Sequence, residues 1–574
     1  MKSLGLLLFL FIGTFGTIQA QLLTDKQLEK ISDQRYVFTS LKLALERPDE
    51  VYQLKLRGLS QRLVSLQRRI GVLQDSLVHL DTINLRNKEA LIQRYQGRIV
   101  ALEEEKPYYT LDSIVNLTHL LSLDLSHNEL VNLPDVFADL PNLRYLYLND
   151  NHLSAIPSSI GLLTNLIELH VQNNKLAALP ESVSQLTKLT VLTGHNNQLE
   201  KLPTEIGDCS KLSFISLDSN QLQLLPASFG KLDQIKGLSL SGNQLVEIPL
   251  EVGNFNLLEE LYLDDNKLTA FPQQIGDLDK LRVLNLAQNK LEFFPASLGG
   301  LQKLSTLNLA QNNLKAVPKS ILNLKQLQHL HLEFNEIATL PESFGVLNQL
   351  TTLRINDNQL VLLPESIGLL TELERLYAGN NQLTSIPTSL ASLTKLRECY
   401  LDNNQLTSLP EGIEKLERLE VLFVQHNQIK ALENIRLRGL KNLSTFYVNN
   451  NQLTSLPDSM LYLPKLKRLY LSNNQIATLP PSIGDLPALM VLSLDQNGLT
   501  ELPEELGNLP NLNYLFLKDN ALVKLPACFY KQKNQRHGLY SVKQLELLRN
   551  PIGEKKHKRM KIRRLGPPYA KIYI

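Results

Sequence analysis

One spacing governs this chain. From Leu120 onward the run Leu-x-x-Leu-x-Leu-x-x-Asn-x-Leu, followed by x-x-Leu-Pro, keeps returning. Its first copy is Leu120, Leu123, Leu125, Asn128, Leu130 and Leu133-Pro134. Further copies open at residues 143, 166, 189, 212, 235, 258, 281, 304, 327, 350, 373, 396 and 419, always 23 residues apart. The step to Leu443 is 24; residues 466, 489 and 512 restore the 23 period; a degenerate copy opens at Val542 after a step of 30, nineteen units in all. A fixed period of this length implies one small structural unit stacked on itself, each copy burying its apolar side against the next.

The pattern has a mechanical reading. In Leu-x-Leu the side chains alternate, so the leucines point inward and the residues between them point out. Each short strand then pairs with its counterpart in the next copy as a parallel sheet, and the rest of the copy supplies the crossover that parallel strands need. The Asn (Asn151, Asn266, Asn404) is expected to turn inward and satisfy backbone groups at the strand's end, because a buried unpaired group costs about 1–3 kcal/mol. Pro ends the descending segment by fixing φ and removing a donor. The glycines of Ile160-Gly161, Ile206-Gly207, Phe344-Gly345 and Ile483-Gly484 are expected at turns of positive φ on the convex side.

The run Leu-Pro-x-x-Ile-Gly-x-Leu-x-x-Leu-x-x-Leu-x-Leu-x-x-Asn resembles the 23-residue class of leucine-rich repeats. That class includes plant disease-resistance repeats, Ras-pathway scaffold repeats and many bacterial repeat proteins. The resemblance covers about 111–574. It implies an α/β solenoid: a curved horseshoe with a parallel concave sheet, short helical or extended convex segments, and a role in protein interaction with no particular partner fixed.

The flanks break the period. Lys2, the apolar run Leu4 to Ile18 and Ile18-Gln19-Ala20 before Gln21 read as a cleavable secretory signal over 1–20. Its apolar run is short for a span, which needs roughly 20 residues. Residues 21–110 form a separate region: Val51 to Leu56 resembles an opening cap strand, and Leu63, Leu66, Ile70, Leu73, Leu77 and Leu80 follow at heptad-like steps. Three readings of it stand: a dimerising helix, a helical cap, or degenerate repeats marked by Ile70-Gly71 and Ile83-x-Leu85. The solenoid runs 111–552. Residues 553–574 read as a capping helix with Lys555, Lys556, Lys558, Arg559, Lys561, Arg563 and Arg564, then an edge strand from Lys571 to Ile574.

Composition narrows the function classes. Formal net charge is +2 over 574 residues, so the chain as a whole does not read as a nucleic-acid binder. Of Cys209, Cys399 and Cys528, the first two sit too far apart along the array to pair within one chain, and the odd count leaves an intermolecular bridge open. Cys399 occupies an inward Leu position and is expected in the core rather than as a nucleophile. The sequence contains no G-x-x-x-x-G-K-[ST], H-E-x-x-H or G-x-S-x-G, and nothing outside the array is large enough for an appended catalytic domain. The expectation is a non-enzyme without cofactor or metal.

Function is therefore sought on the concave face. The residue between the second and third Leu reads, in order, Asp124, Tyr147, His170, Thr193, Ser216, Ser239, Tyr262, Asn285, Asn308, His331, Arg354, Tyr377, Tyr400, Phe423, Tyr447, Tyr470, Ser493 and Phe516. Five consecutive copies present a ring: Tyr377, Tyr400, Phe423, Tyr447 and Tyr470. Strands about 4.8 Å apart would align them as a stripe of roughly 20 Å. Rings add contact area with little entropy lost on ordering, although stacked rings also stabilise a sheet on their own. Arg375, Glu398, Asp402, Arg468 and Asn449 flank the stripe. It spans the irregular copy in which Leu432-Glu433 replaces Leu-Pro.

Weaker candidates are the acidic group Glu259, Glu260, Asp264 and Asp265 with Asp218 two copies earlier, the pair His329 and His331 with Glu333, and His170 with His195. For these a solvated face is the simpler reading. The expected partner is a protein or peptide, or alternatively a glycan, bound outside the cytoplasm without a membrane span. A homodimeric scaffold built through residues 21–110 is the second reading.

Overall fold

The computed structural model describes residues 37–38, 44, 53–56, 74, 111–432, 437–458, 463–530, 541–553 and 571–573. The heptad-like positions Leu63, Leu66, Ile70, Leu73, Leu77 and Leu80 and the basic helix expected at 554–565 fall outside them. The chain forms two compact units, Met1–Lys267 and Leu268–Ile574.

In the first unit β1 (Val37–Phe38) and β2 (Gln53–Lys55) lead into seven three-residue strands: β3 (Ser122–Asp124), β4 (Tyr145–Tyr147), β5 (Glu168–His170), β6 (Val191–Thr193), β7 (Phe214–Ser216), β8 (Gly237–Ser239) and β9 (Glu260–Tyr262). Each pairs in parallel with the next, and from β3 onward the register advances by 23 residues, so Leu146 lies beside Leu169 and Tyr147 beside His170. The cap strand read at Val51 to Leu56 is present as β2, whereas β1 has no counterpart in the sequence reading.

The second unit repeats the arrangement. Its strands are β10 (Val283–Asn285), β11 (Thr306–Asn308), β12 (His329–His331), β13 (Thr352–Arg354), β14 (Arg375–Tyr377), β15 (Glu398–Tyr400), β16 (Val421–Phe423), β17 (Thr445–Tyr447), β18 (Arg468–Tyr470), β19 (Val491–Ser493), β20 (Tyr514–Phe516), β21 (Gln544–Glu546) and β22 (Lys571–Tyr573). The residue added after Leu432 does not break the ladder, because β16 pairs with β17 in register, Leu422 beside Phe446.

One repeat shows how packing follows from pattern. Leu396, Cys399, Leu401 and Leu406 have no exposed surface, and Leu409, Ile413 and Leu416 complete the spine at 5% or less. Asn404 turns inward as expected. Its Nδ2 donates to Leu401 O (3.1 Å), to Asp402 O (3.1 Å) and to Ala378 O of the preceding repeat (3.0 Å); its Oδ1 accepts from Leu383 N–H (3.0 Å). One amide therefore ties two repeats together and pairs four backbone groups of the turning chain.

The residue just before this Asn adopts positive φ in repeat after repeat, with Asn380 and Asn403 both at 52°. That left-handed region suits Asn, Asp and Gly, so the polar column there is conformational in origin. Opposite the strands lie short 3-10 helices such as Thr388–Ser392. Pro387, at φ −62°, caps it and accepts from Leu390 N–H. Five-residue segments closed by i to i+3 bonds are where 3-10 geometry is favoured.

The convex glycines require a correction. Gly161, Gly207, Gly345 and Gly484 do not have positive φ; among the described glycines only Gly242 and Gly412 do. Their reason is proximity: a Cβ on Gly161 would lie 2.6 Å from both Cβ and O of Ser182 in the next repeat. Small size there lets adjacent 3-10 segments touch.

Candidate functional site

Leucine alternation places the five rings of the second unit on the sheet face opposite the core. Leu376, Cys399, Leu422, Phe446 and Leu469 between them have no exposed surface, whereas Tyr377, Tyr400, Phe423, Tyr447 and Tyr470 are all partly exposed. The rings are half-buried rather than fully open because they pack on one another. Successive centroids are 4.6, 4.8, 4.3 and 4.0 Å apart; Tyr377–Tyr400 and Tyr447–Tyr470 are stacked, and Phe423 is tilted between the two pairs. These spacings follow strand separation.

The polar neighbours are bonded to the rings. Tyr377 Oη donates to Glu398 Oε2 (2.9 Å), and Tyr400 Oη reaches the same oxygen (3.3 Å). Burial, followed by the bond to Glu398, raises the Tyr377 hydroxyl; burial pushes Tyr400 and Tyr447 up to about 12. All three are neutral phenols near pH 7 and keep a proton to donate. Arg354 lies over the Tyr377 ring with its guanidinium carbon 4.5 Å from the centroid.

A second row runs two residues beyond the rings, through Asp402, Gln425, Asn449 and Ser472, on the same side of the sheet. Burial raises the Asp402 carboxyl, which accepts from Asn403 Nδ2 (2.8 Å). Gln425 Oε1 and Asn449 Oδ1 are enclosed without a hydrogen-bond partner. Arg375 and Arg468 are exposed at the margin.

The other candidates have ordinary partners. His331 Nδ1 lies 3.6 Å from Glu333, and burial, then His331, lowers the His329 imidazole. In the first unit His170 stacks on Tyr147 (4.8 Å) and bonds Glu168 and Thr193, while His195 meets Ser216 Oγ at 3.3 Å. In the acidic group Tyr262 Oη donates to Glu260 (3.2 Å) and Ser241 Oγ to Asp264 (2.6 Å). Among the described residues no group of three or more His, Cys, Asp or Glu is placed to hold a metal ion. Cys399 is a core residue, its thiol pushed up to about 12 by burial.

Sequence reasoning missed Phe334. It stands in the positive-φ column, at 55°, and is 50% exposed. Reading that column as a column would have exposed it, since in the second unit the other non-glycine members are Asn, Asp, Gln, His or Arg.

Comparison with known proteins bears on the repeat. Models described as "Leucine-rich repeat region" and "Leucine rich repeat" match residues 90–200 and, in overlapping segments, residues 256–360 and 371–522. No curated protein matches the chain. Among solved structures the chain is similar to a leucine-rich-repeat protein of Leptospira interrogans, at 32% identity over 78% of this chain and 99% of that one, TM-score 0.61. It is also similar to the Arabidopsis receptor kinase HAESA in complex with the peptide hormone IDA and a co-receptor (27% identity, 76% and 77% covered, TM-score 0.56) and to YopM from Yersinia enterocolitica (25%, 75% and 83%, TM-score 0.51). Register, inward Asn ladder, family models and Leptospira relative agree: this chain belongs to the leucine-rich-repeat family.

Proposed function

We propose that the strand face of the second unit recognises an extended segment of a peptide or protein partner outside the cytoplasm, with Tyr377, Tyr400, Phe423, Tyr447 and Tyr470 as the docking strip. The observation that carries this reading is the unbroken run of rings on five consecutive strands, spaced 4.0–4.8 Å apart. A strip of neutral rings on a rigid sheet offers an extended chain apolar contact without ordering cost, and aromatic anchors dominate the energetics of most interfaces. Arg375, Glu398, Asp402 and Arg468 set specificity along its margins. The HAESA relative, seen with a peptide hormone, supports a peptide over other partners. The extracytoplasmic setting rests on the signal-like start of the chain; among the described residues no helix is long and apolar enough to cross a membrane.

The test replaces Tyr400, Phe423 and Tyr447 together with Ala and compares crosslinking pull-downs from native extract. The expected result is loss of the captured partner with the far-ultraviolet spectrum unchanged. Capture of the same partner at the same affinity refutes the assignment and leaves the rings as sheet stabilisers.

A further inference from the structure

We infer that the leading end of the ring strip is a carboxylate pocket, so that the preferred ligand is an acidic peptide carrying an apolar residue beside its acid. This deepens the proposed function and rests on it. Two observations converge on β12 to β14.

Two cations there lack an anion. The Arg354 side chain makes no hydrogen bond or ion pair with any described residue, and its Nε is enclosed without a partner. Arg375 has one weak bond, its Nε donating to Thr352 Oγ1 at 3.4 Å. Neither nearby carboxylate pairs with an arginine: Glu398 takes the hydroxyls of Tyr377 and Tyr400, and Glu333 has one oxygen 3.6 Å from His331 Nδ1 and the other enclosed without a hydrogen-bond partner. Both guanidiniums are near Tyr377, where each opposes the upward shift of its hydroxyl. Register explains the convergence, since Arg354 is paired with Tyr377 and Thr352 with Arg375.

The next observation is Phe334. A bulky residue in the left-handed region is strained, and strain retained at an exposed position points to use. Phe334 N–H donates to Asn356 O, which places the residue three positions beyond β12, beside the turn that follows Arg354.

Guanidiniums bind carboxylates through paired, charge-assisted hydrogen bonds. A ligand acid on Arg354 and Arg375 would place its apolar neighbour toward Phe334 and the rest of its chain along the rings. An internal Glu or Asp and a free chain terminus supply the same group.

The test uses the full chain and fluorescein-labelled eight-residue peptides, each with one Phe or Tyr. Glu or Gln is placed at every position in turn, and each peptide is made with an amidated or a free C-terminus. Binding is read by anisotropy. The Glu or free-acid form is expected to bind about tenfold tighter than its neutral twin, with that preference lost in R354Q/R375Q. The position and terminus arms show which source of carboxylate is used. Phe334→Asn, which suits the backbone better, is expected to weaken peptides with an apolar residue beside the acid by roughly threefold to tenfold without lowering thermal stability.

Equal binding of Glu and Gln peptides, or a preference that survives in R354Q/R375Q, overturns the pocket. If those neutral peptides still lose affinity for Y400A/F423A/Y447A, the strip itself stands. Failure of every peptide to bind the wild-type chain overturns both readings, and an unchanged affinity in Phe334→Asn removes Phe334 from the site.

Discussion

Asn404→Ala tests the joint that holds one repeat to the next. The Asn404 side chain supplies the acceptor for Leu383 N–H at 3.0 Å, and Leu383 has no exposed surface. Removing the acceptor leaves a buried donor unpaired, which costs about 1–3 kcal/mol. The carbonyl side loses less. Ala378 O keeps a donor from Asn381 (3.2 Å) and Leu401 O keeps one from Asn427 (3.0 Å), so that loss adds roughly 1 kcal/mol. The expected local destabilisation is about 2–4 kcal/mol.

In a repeat array this cost falls on neighbours rather than on the whole chain, so a single unfolding midpoint is the wrong observable. Native-state hydrogen exchange resolves it. The Leu383 amide should exchange about two orders of magnitude faster in the variant, while Leu222, held by Asn243 in the first unit at 3.0 Å, keeps its rate. Undiminished protection at Leu383 would refute the ladder as a stabilising device. Equal acceleration at Leu222 would refute its local character.

Two further outcomes follow from the packing. Burial pushes the Asp495 carboxyl up to about 6 from 3.8, so the folded state holds this proton more tightly than the unfolded chain does. Its contribution to stability is therefore greatest below about pH 4 and is lost as pH rises through about 6. Asp495→Asn should gain on the wild type across that window in the exchange protection of the neighbouring Leu494 amide, and a pH-independent difference would contradict the assignment. Gly161→Ala should cost about 1–3 kcal/mol, since the new methyl would lie 2.6 Å from Ser182, and should speed exchange of the Ile160 and Leu163 amides; unchanged protection there would show that the convex stack yields.

The repeat was legible because its information is local and redundant. Period-two alternation at Leu376, Cys399 and Leu422 fixes which side is core, and the fixed step fixes the parallel register. The Asn column was readable for the same reason: a turning chain needs a donor and an acceptor at that point, and Asn carries both. The rings could be placed on the open face in advance, because every residue between two inward leucines has to stand there.

What the period could not reveal depends on neighbouring copies meeting in space. Gly161 reads like a turn glycine, yet the constraint on it comes from Ser182 in the next repeat. Phe334 departs from a polar column legible in the sequence, but only the backbone, with φ at 55°, shows that the departure is strained. That Arg354 lacks an anion while Glu398 serves two tyrosines depends on side-chain geometry across three strands. Composition and spacing determined the spine, because burial of leucine is a property of one repeat. Tertiary structure decided which polar groups were left over, because hydrogen-bond satisfaction is settled only between repeats.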